Sequence, residues 1–331
     1  MNCVKVGIVG LGNFGRLHAE TALSLNETEL VAVVDTQVET LKQLPDPIAA
    51  IPQWTDLSSA IEESDAEAWI VATSTASHVP LTSLLLEAGK SVLLEKPISE
   101  DLSSAESLAR KLEQSKGQLM LGHVALFNSE FLHLQTEVEN RGSLQFIDCV
   151  RHRPSSTMDA FPGESPFHLT MVHDLYLVLA LKNREEPVKF TTQAHSNENG
   201  DCDLALAQLQ WADGSIASLT ASFKTPAGMG SDGFDRIEVF GENWNARIHP
   251  NPRPIEVWDD AKAHWPSALE IGISKSGAAS GMLAEQVRTF CRVIRDQQAI
   301  PLGASYEDGL QVQRWLDTLS NQASNSFQDS E

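Results

Sequence analysis

The sequence has no clustered cysteines. Its four, Cys3, Cys149, Cys202 and Cys291, are scattered over 331 residues, so no Cys-x-x-Cys metal or redox pair exists. Thiols spread this thinly fit a reducing compartment. No run of apolar residues is long enough to span a bilayer. No basic stretch leads into an apolar core and a cleavage site, and the early apolar residues read as a strand. No signal peptide is expected, and the expected location is cytoplasmic. Positive charge is scarce: 24 Lys and Arg against 45 Asp and Glu give a formal net charge of −21. Such a surface repels nucleic acid and anionic lipid, so neither is an expected partner. The histidines show no H-x-x-x-H or H-x-H spacing, and no metal is expected.

What is present is ordinary globular composition, 42% hydrophobic and 21% charged, which argues against disorder. The length exceeds what one core usually holds and favours two domains. The first 122 residues alternate short β-branched runs with helical stretches. Strands are expected at Val4 to Val9, Leu30 to Val34, Ala68 to Ala72, Ser91 to Leu94 and Gln118 to Leu121. Helices are expected at Gly15 to Leu25, Leu57 to Ser64, Pro80 to Ala88 and Leu102 to Lys116. Near-continuous apolar strands are buried on both faces, and strand-helix alternation is the doubly wound pattern. The expectation is an α/β Rossmann domain over 1–122.

The texture then changes. A helix from Ser129 to Asn140 leads to a strand from Leu144 to His152, a loop from Pro154 to Pro166 and an apolar helix from Phe167 to Leu181. Strands follow in succession: Val188 to His195, Leu204 to Trp211, Ser215 to Phe223 and Phe234 to Gly241. Asp213-Gly214 is a hairpin signal. Two helices, Met282 to Arg295 and Tyr306 to Ser320, close the chain, and Asn325 to Glu331 reads as a frayed tail. Successive strands imply a mostly antiparallel, open sheet, hence an α+β substrate domain over 123–331. Trp211, Trp244 and Trp315 are expected to pack in that sheet and the last helix.

Gly10-Leu11-Gly12-Asn13-Phe14-Gly15 matches G-x-G-x-x-G, between a strand and a helix. Gly10 permits the tight turn, Gly12 lets the backbone approach a pyrophosphate, and Gly15 lets helix and strand pack closely. The helix N-terminus, through Asn13 and Phe14, offers free N–H groups to phosphates. Asp35 ends the second strand, about 20 residues on, where an acid bonds the adenosine ribose. A carboxylate there repels a 2′-phosphate, and Thr36 and Gln37 supply no arginine. NAD is the expected cofactor, ahead of NADP.

The strand ending in Glu95-Lys96-Pro97, after such a domain, resembles the glucose–fructose oxidoreductase / inositol dehydrogenase (Gfo/Idh/MocA) family. Ala72-Thr73-Ser74-Thr75-Ala76-Ser77-His78 is similar to that family's Ala-Thr-Pro-Asn-x-x-His segment, and Ala88 to Pro97 to its Ala-Gly-Lys-His-Val-x-x-Glu-Lys-Pro segment. Gly122 to Asn128 resembles a Gly-His-x-x-Arg-Phe-Asn segment, and Ser305 to Leu310 the start of the last family helix. The resemblance implies an NAD(P)-dependent oxidoreductase acting on a secondary hydroxyl of a sugar, sugar derivative or cyclic polyol. It implies that Lys96 reaches the substrate hydroxyl, that Glu95 faces the cofactor, and that Thr73, Ser74 and His78 line the nicotinamide end. It also implies a homodimer or homotetramer.

The family's Asp-x-x-x-His-x-x-Asp helix, whose histidine is the general base, corresponds to Leu169 to Tyr176 here. His173 fits the base and Asp174 a common His-Asp variant, but Leu169 stands where the orienting aspartate belongs and Tyr176 where the last aspartate does. An imidazole without that carboxylate loses an orienter. His168, five residues before His173, sits roughly 140° around an α-helix and is a poor stand-in. Ala125 and Leu126 replace the basic residue of Gly-His-x-x-Arg-Phe-Asn, against a nucleotide-sugar substrate. Arg151, His152 and Arg153 form a basic cluster, expected to make surface ion pairs, with contact to an anionic substrate group as the alternative. Three other readings stay open: a ligand sensor that keeps the cofactor and has lost the chemistry, an NAD-assisted lyase or glycosidase, and a reductase of a non-sugar such as a linear tetrapyrrole.

Overall fold

The computed structural model describes residues 3–230, 233–260, 263–268, 271–273 and 277–328. The chain divides into two compact units. The first comprises residues 1–127 and 270–310, the second residues 128–269 and 311–331.

The first unit is a six-stranded sheet of β1 (Val4–Val9), β2 (Thr28–Val34), β3 (Gln53–Trp54), β4 (Ala68–Val71), β5 (Ser91–Glu95) and β6 (Leu119–Gly122). Their order is β3-β2-β1-β4-β5-β6, and every pairing is parallel. β4, β5 and β6 are buried along their whole length, as their largely apolar sequence demands of a sheet covered on both faces. The order reverses between β1 and β4, the position beside which open α/β sheets bind ligands.

The division is not linear in sequence. Helix Gly281–Ile294 buries Leu283, Ala284, Val287, Phe290 and Val293 and packs on helix Asn13–Ser24 and the turn Val124–Phe127. Leu121 N–H donates to the Ala304 carbonyl (2.8 Å) and the Tyr306 hydroxyl to that of Ala105 (2.8 Å). The Arg295 guanidinium clasps Glu67 at 2.6 and 2.9 Å. The sequence places a single break at residue 122; contacts group 270–310 with the first unit because these residues cover a helix of the first sheet and the edge strand β6.

The second unit holds β7 (Leu144–Pro154), β8 (Lys189–Ser196), β9 (Cys202–Gln210), β10 (Ile216–Thr225), β11 (Phe234–Gly241) and β12 (Trp244–Ile248), in the order β12-β11-β7-β10-β9-β8. Only β7 and β10 run parallel; the other pairings are antiparallel. A two-stranded ribbon joins β13 (Val257–Trp258) to β14 (Ala263–His264). Buried residues alternate along the strands, as in Ile147, Cys149 and Arg151 of β7 and Ala217, Leu219 and Ala221 of β10, so one face carries the core. Trp211 and Trp315 are buried and meet edge-to-face at 6.4 Å. Trp244 is half-buried in β12.

Several elements differ from the sequence expectation. The helix expected over 102–116 is two, Leu102–Glu106 and Leu108–Gln114. At the junction the Ser107 hydroxyl bonds the Ser104 carbonyl (2.6 Å), a local alternative to the helical ladder. The apolar helix at 167–181 opens as a π-turn, Phe167–Met171, before its α-helical part, Val172–Leu181. Val172 N–H reaches back to the Phe167 carbonyl, and the Thr170 hydroxyl holds that of Pro166 at 2.8 Å. β12 is an addition; it follows a tight turn in which Asn243 takes φ 64°, a conformation asparagine tolerates. The loop expected over 154–166 contains a short helix, Ser156–Ala160. Helical backbone continues to Gln328 where a tail was expected, and residues 329–331 lie outside the described residues.

Candidate active site

In the first unit, the carboxyl ends of β1, β2, β3 and β4 surround a cavity of about 520 Å³. Gly10, Gly12, Asn13, Phe14, Asp35, Thr73 and Ser74 line it, seven of the residues singled out from the sequence. Gly10 takes φ +91°, and a Cβ there would lie 2.5 Å from the Ala72 carbonyl oxygen. A Cβ on Gly15 would lie 1.8 Å from the Gly10 oxygen, which is the close helix–strand approach. A Cβ on Gly12 would meet nothing within 4 Å. Gly12 is therefore not required by the packing of the chain itself. No side chain caps the helix that begins at Asn13, so its first N–H groups are open to an anion.

Asp35 accepts Leu11 N–H and Gln37 N–H, one on each oxygen, both at 2.8 Å. A carboxylate has about four lone-pair sites, so the group keeps acceptor capacity for a ribose hydroxyl. Thr55, Asp56 and Leu57 also line the cavity. They follow β3, whose two residues are too few to show any periodicity. Asp56 caps helix Leu57–Glu63 by accepting Ser59 N–H (2.8 Å), and those hydrogen bonds hold its carboxyl below the ordinary carboxylate value.

Gly15, His78, Glu95 and Lys96 are not part of the cavity lining. His78 is buried, 1% exposed. Its Nδ1 lies 2.7 Å from the Pro97 carbonyl oxygen and its Nε2 3.2 Å from that of Thr73. Burial holds the imidazole below the ordinary histidine value, against the two carbonyls, which raise it. Glu95 is buried at the end of β5, with Oε1 2.9 Å from Nε2 of His18 and Oε2 accepting Lys96 N–H at 3.3 Å. His18 escaped the sequence reading. Its one signal is a polar residue on the buried face of the first helix, beside Ala19 and Ala22. Lys96 is half-buried and follows β5 directly; the Lys96-Pro97 peptide is cis.

In the second unit, His173 lies half-buried in the first turn of helix Val172–Leu181. Asp174 beside it is buried and turned onto the sheet. Arg151 grips it with Nη2 2.7 Å from Oδ1 and Nε 3.2 Å from Oδ2. The same guanidinium reaches Asp235 on β11 (2.8 Å), which also binds Arg153 (2.6 Å). Burial pulls Arg151 down, but the two carboxylates outweigh it and hold it above its ordinary value. The basic cluster thus makes ion pairs, though buried ones rather than the surface pairs expected. The acids come from strand and helix positions that no local pattern joins to Arg151. His152 instead bonds the Ser222 hydroxyl at 2.8 Å.

Leu169 falls within the π-turn and offers no carboxylate. The wider turn reduces the angular offset between His168 and His173 from its α-helical value without bringing the two into line. His168 is exposed, with Nδ1 3.0 Å from the Ser165 hydroxyl. Among the described residues, no three His, Cys, Asp or Glu side chains gather as a metal ion would need, and no helix is long and apolar enough to cross a membrane.

Residues 4–123 match the Gfo/Idh/MocA oxidoreductase family, NAD-binding Rossmann fold, and residues 120–247 match the Gfo/Idh/MocA C-terminal domain. The chain belongs to this family. As a Gfo/Idh/MocA protein it is an oxidoreductase whose first domain is an NAD-binding Rossmann domain. It is 24% identical over 247 residues to myo-inositol 2-dehydrogenase of Thermotoga maritima, covering 72% of this chain and 73% of that protein. It is 25% identical over 264 residues to inositol 2-dehydrogenase of Rhizobium meliloti, covering 77% and 78%. Scyllo-inositol dehydrogenase from Lactobacillus casei, solved with NAD(H) and scyllo-inositol, superimposes with a TM-score of 0.80 over 98% of each chain, at 19% identity. That last likeness is one of fold. The residues present fit the dinucleotide: an uncapped helix start, open space at Gly12, and a carboxylate with free acceptor sites at the end of β2.

Proposed function

We propose that this protein is an NAD-dependent dehydrogenase of a secondary hydroxyl on a cyclic polyol, a sugar or a sugar derivative. The observation that carries the reading is the placement of Lys96. It leaves the carboxyl end of a parallel strand in the sheet whose neighbouring strand ends frame the glycine cradle, the side on which such sheets bind ligands. The inositol dehydrogenases among its relatives support the substrate class.

Gly12, Asn13 and Phe14 would hold the pyrophosphate, Asp35 the adenosine ribose, and Thr73 and Ser74 the ring beyond it. NAD, when bound, supplies the hydride acceptor. Lys96 presents an ammonium to the substrate oxygen, where it stabilises the negative charge that develops as the O–H bond breaks. A ring nitrogen of His173 takes that proton as the carbinol carbon becomes a carbonyl. The Arg151–Asp174 clasp fixes the helix that carries His173, while Leu169 leaves the ring without the usual carboxylate. Asp35 and Asp56 together make the cavity unfavourable for a 2′-phosphate.

Leu169 also favours a second reading, a protein that binds NADH and senses a ligand without turning it over. Absorbance at the NADH band, with NAD and a panel of inositols, sugars and sugar acids, separates the two. Turnover that disappears in Lys96→Ala and in His173→Ala supports the dehydrogenase. Tight NADH binding with no turnover across the panel supports the sensor, and undiminished turnover in both variants overturns the roles given to these residues.

A further inference from the structure

We infer that His78 is a positioning residue for Lys96, acting through the Pro97 carbonyl, rather than a contact of the cofactor. The inference rests on the role proposed above for Lys96. The His78 ring is 1% exposed and spans the ends of two parallel strands. On one side is the Pro97 carbonyl oxygen, 2.7 Å from Nδ1; on the other is that of Thr73, 3.2 Å from Nε2. Pro97 follows Lys96 directly, and Thr73 lines the cofactor cavity. One rigid ring therefore lies between the segment that carries the ammonium and the segment that borders the cofactor, and a neutral ring can donate to only one of the two carbonyls.

The chemistry of the ring ranks the two contacts. A neutral imidazole has one N–H and one lone pair. Burial keeps this one neutral at ordinary pH. The shorter contact takes the hydrogen, so Nδ1–H donates to Pro97. The bond leaves the backbone beyond Lys96 with little freedom, and the lysine backbone is pinned from its other side as well: its N–H is held by Glu95, whose carboxylate reaches His18. Catalytic groups displaced by about 1 Å lose on the order of 100-fold in rate. A clasp within one residue of the ammonium is therefore a rate determinant even though it touches no substrate.

Two amides separate the contacts. The side-chain N–H₂ of asparagine stands near the place of imidazole Nδ1, and that of glutamine near Nε2. The experiment uses the full chain, with NAD and myo-inositol as the probes, and compares His78→Ala, His78→Asn and His78→Gln. The expected result is a fall in kcat on the order of 100-fold in His78→Ala and His78→Gln. The NADH dissociation constant stays unchanged, and His78→Asn recovers most of the rate. Weakened NADH binding with kcat kept would make His78 a cofactor contact and overturn the inference. Equal losses in the asparagine and glutamine variants would reduce it to packing and overturn it too. If the wild type does not oxidise myo-inositol, that failure belongs to the proposed substrate, and the clasp is read instead by amide hydrogen exchange at Ile98 and Ser99. Exchange there should quicken in the alanine and glutamine variants and return to wild-type rates with asparagine; equal exchange in all four proteins overturns the inference.

Discussion

Nε2 of His18 stands 2.9 Å from Oε1 of Glu95, with the two side chains 0% and 9% exposed, so a helix and a strand 77 positions apart in sequence meet at a polar contact inside an apolar layer. Phe14 packs edge-on against the same imidazole, its centroid 5.2 Å away. Replacing His18 by alanine leaves the Glu95 oxygen buried without a donor, which costs about 1–3 kcal/mol. The expected outcome is a lower melting temperature for His18→Ala, partly recovered in His18→Gln. An unchanged melting temperature would mean that water enters and replaces the imidazole.

Gly12 and Gly15 should part company when each becomes alanine. Gly15→Ala drives a methyl to 1.8 Å from the Gly10 oxygen, so the helix must move and the fold weaken, as a lower yield and melting temperature would record. Gly12 has φ −66° and open space around it. Gly12→Ala should stay within about 0.5 kcal/mol of wild-type stability yet lose NADH affinity, because the methyl takes the space a pyrophosphate needs. Fluorescence titration with NADH beside a thermal melt reads both effects.

Asp35 holds Leu11 N–H and Gln37 N–H as well as facing the cavity. Asp35→Asn keeps one acceptor oxygen and removes the charge. The preference for NADH over NADPH should narrow by roughly tenfold, about 1.4 kcal/mol, chiefly through tighter NADPH. Equal affinities for the two cofactors in the wild type would show that the carboxylate does not select between them.

His78 gives the acid limb of stability a direction. Its folded pKa lies below the ordinary 6.5, first through burial; Lys96 lowers it further, while Glu95 and the Pro97 and Thr73 carbonyls raise it. The unfolded chain therefore binds the proton more readily. The stabilisation is complete above pH 6.5 and is lost as pH falls from there through the folded value. Melting temperatures measured at descending pH should fall less steeply in His78→Asn than in the wild type.

The glycine cradle and Asp35 were legible in the sequence because each answers a local constraint: a positive φ, a close approach, a strand end at fixed spacing. The parallel sheet was legible because burial on both faces writes an unbroken apolar run, as in β4 and β6. His18 was not, since a polar residue on a buried helix face does not name its partner. Arg151 read as a surface cation because its acids, Asp174 and Asp235, lie 23 and 84 positions away. The π-turn before His173 left no mark in the spacing of apolar residues; it is defined by the Val172 N–H bond to the carbonyl five residues back, which no side-chain pattern encodes.

The fastening of β6 by Ala304, and of Glu67 by Arg295, has a bearing on biosynthesis. The nucleotide-binding half is encoded first but lacks part of its cover until residues near 310 have been made. A nascent chain on the ribosome would thus expose the edge of β6 and the outer face of its first helix throughout translation of the other domain. A stop codon after residue 269 would strip the dinucleotide site of its support while leaving every residue that lines it in place.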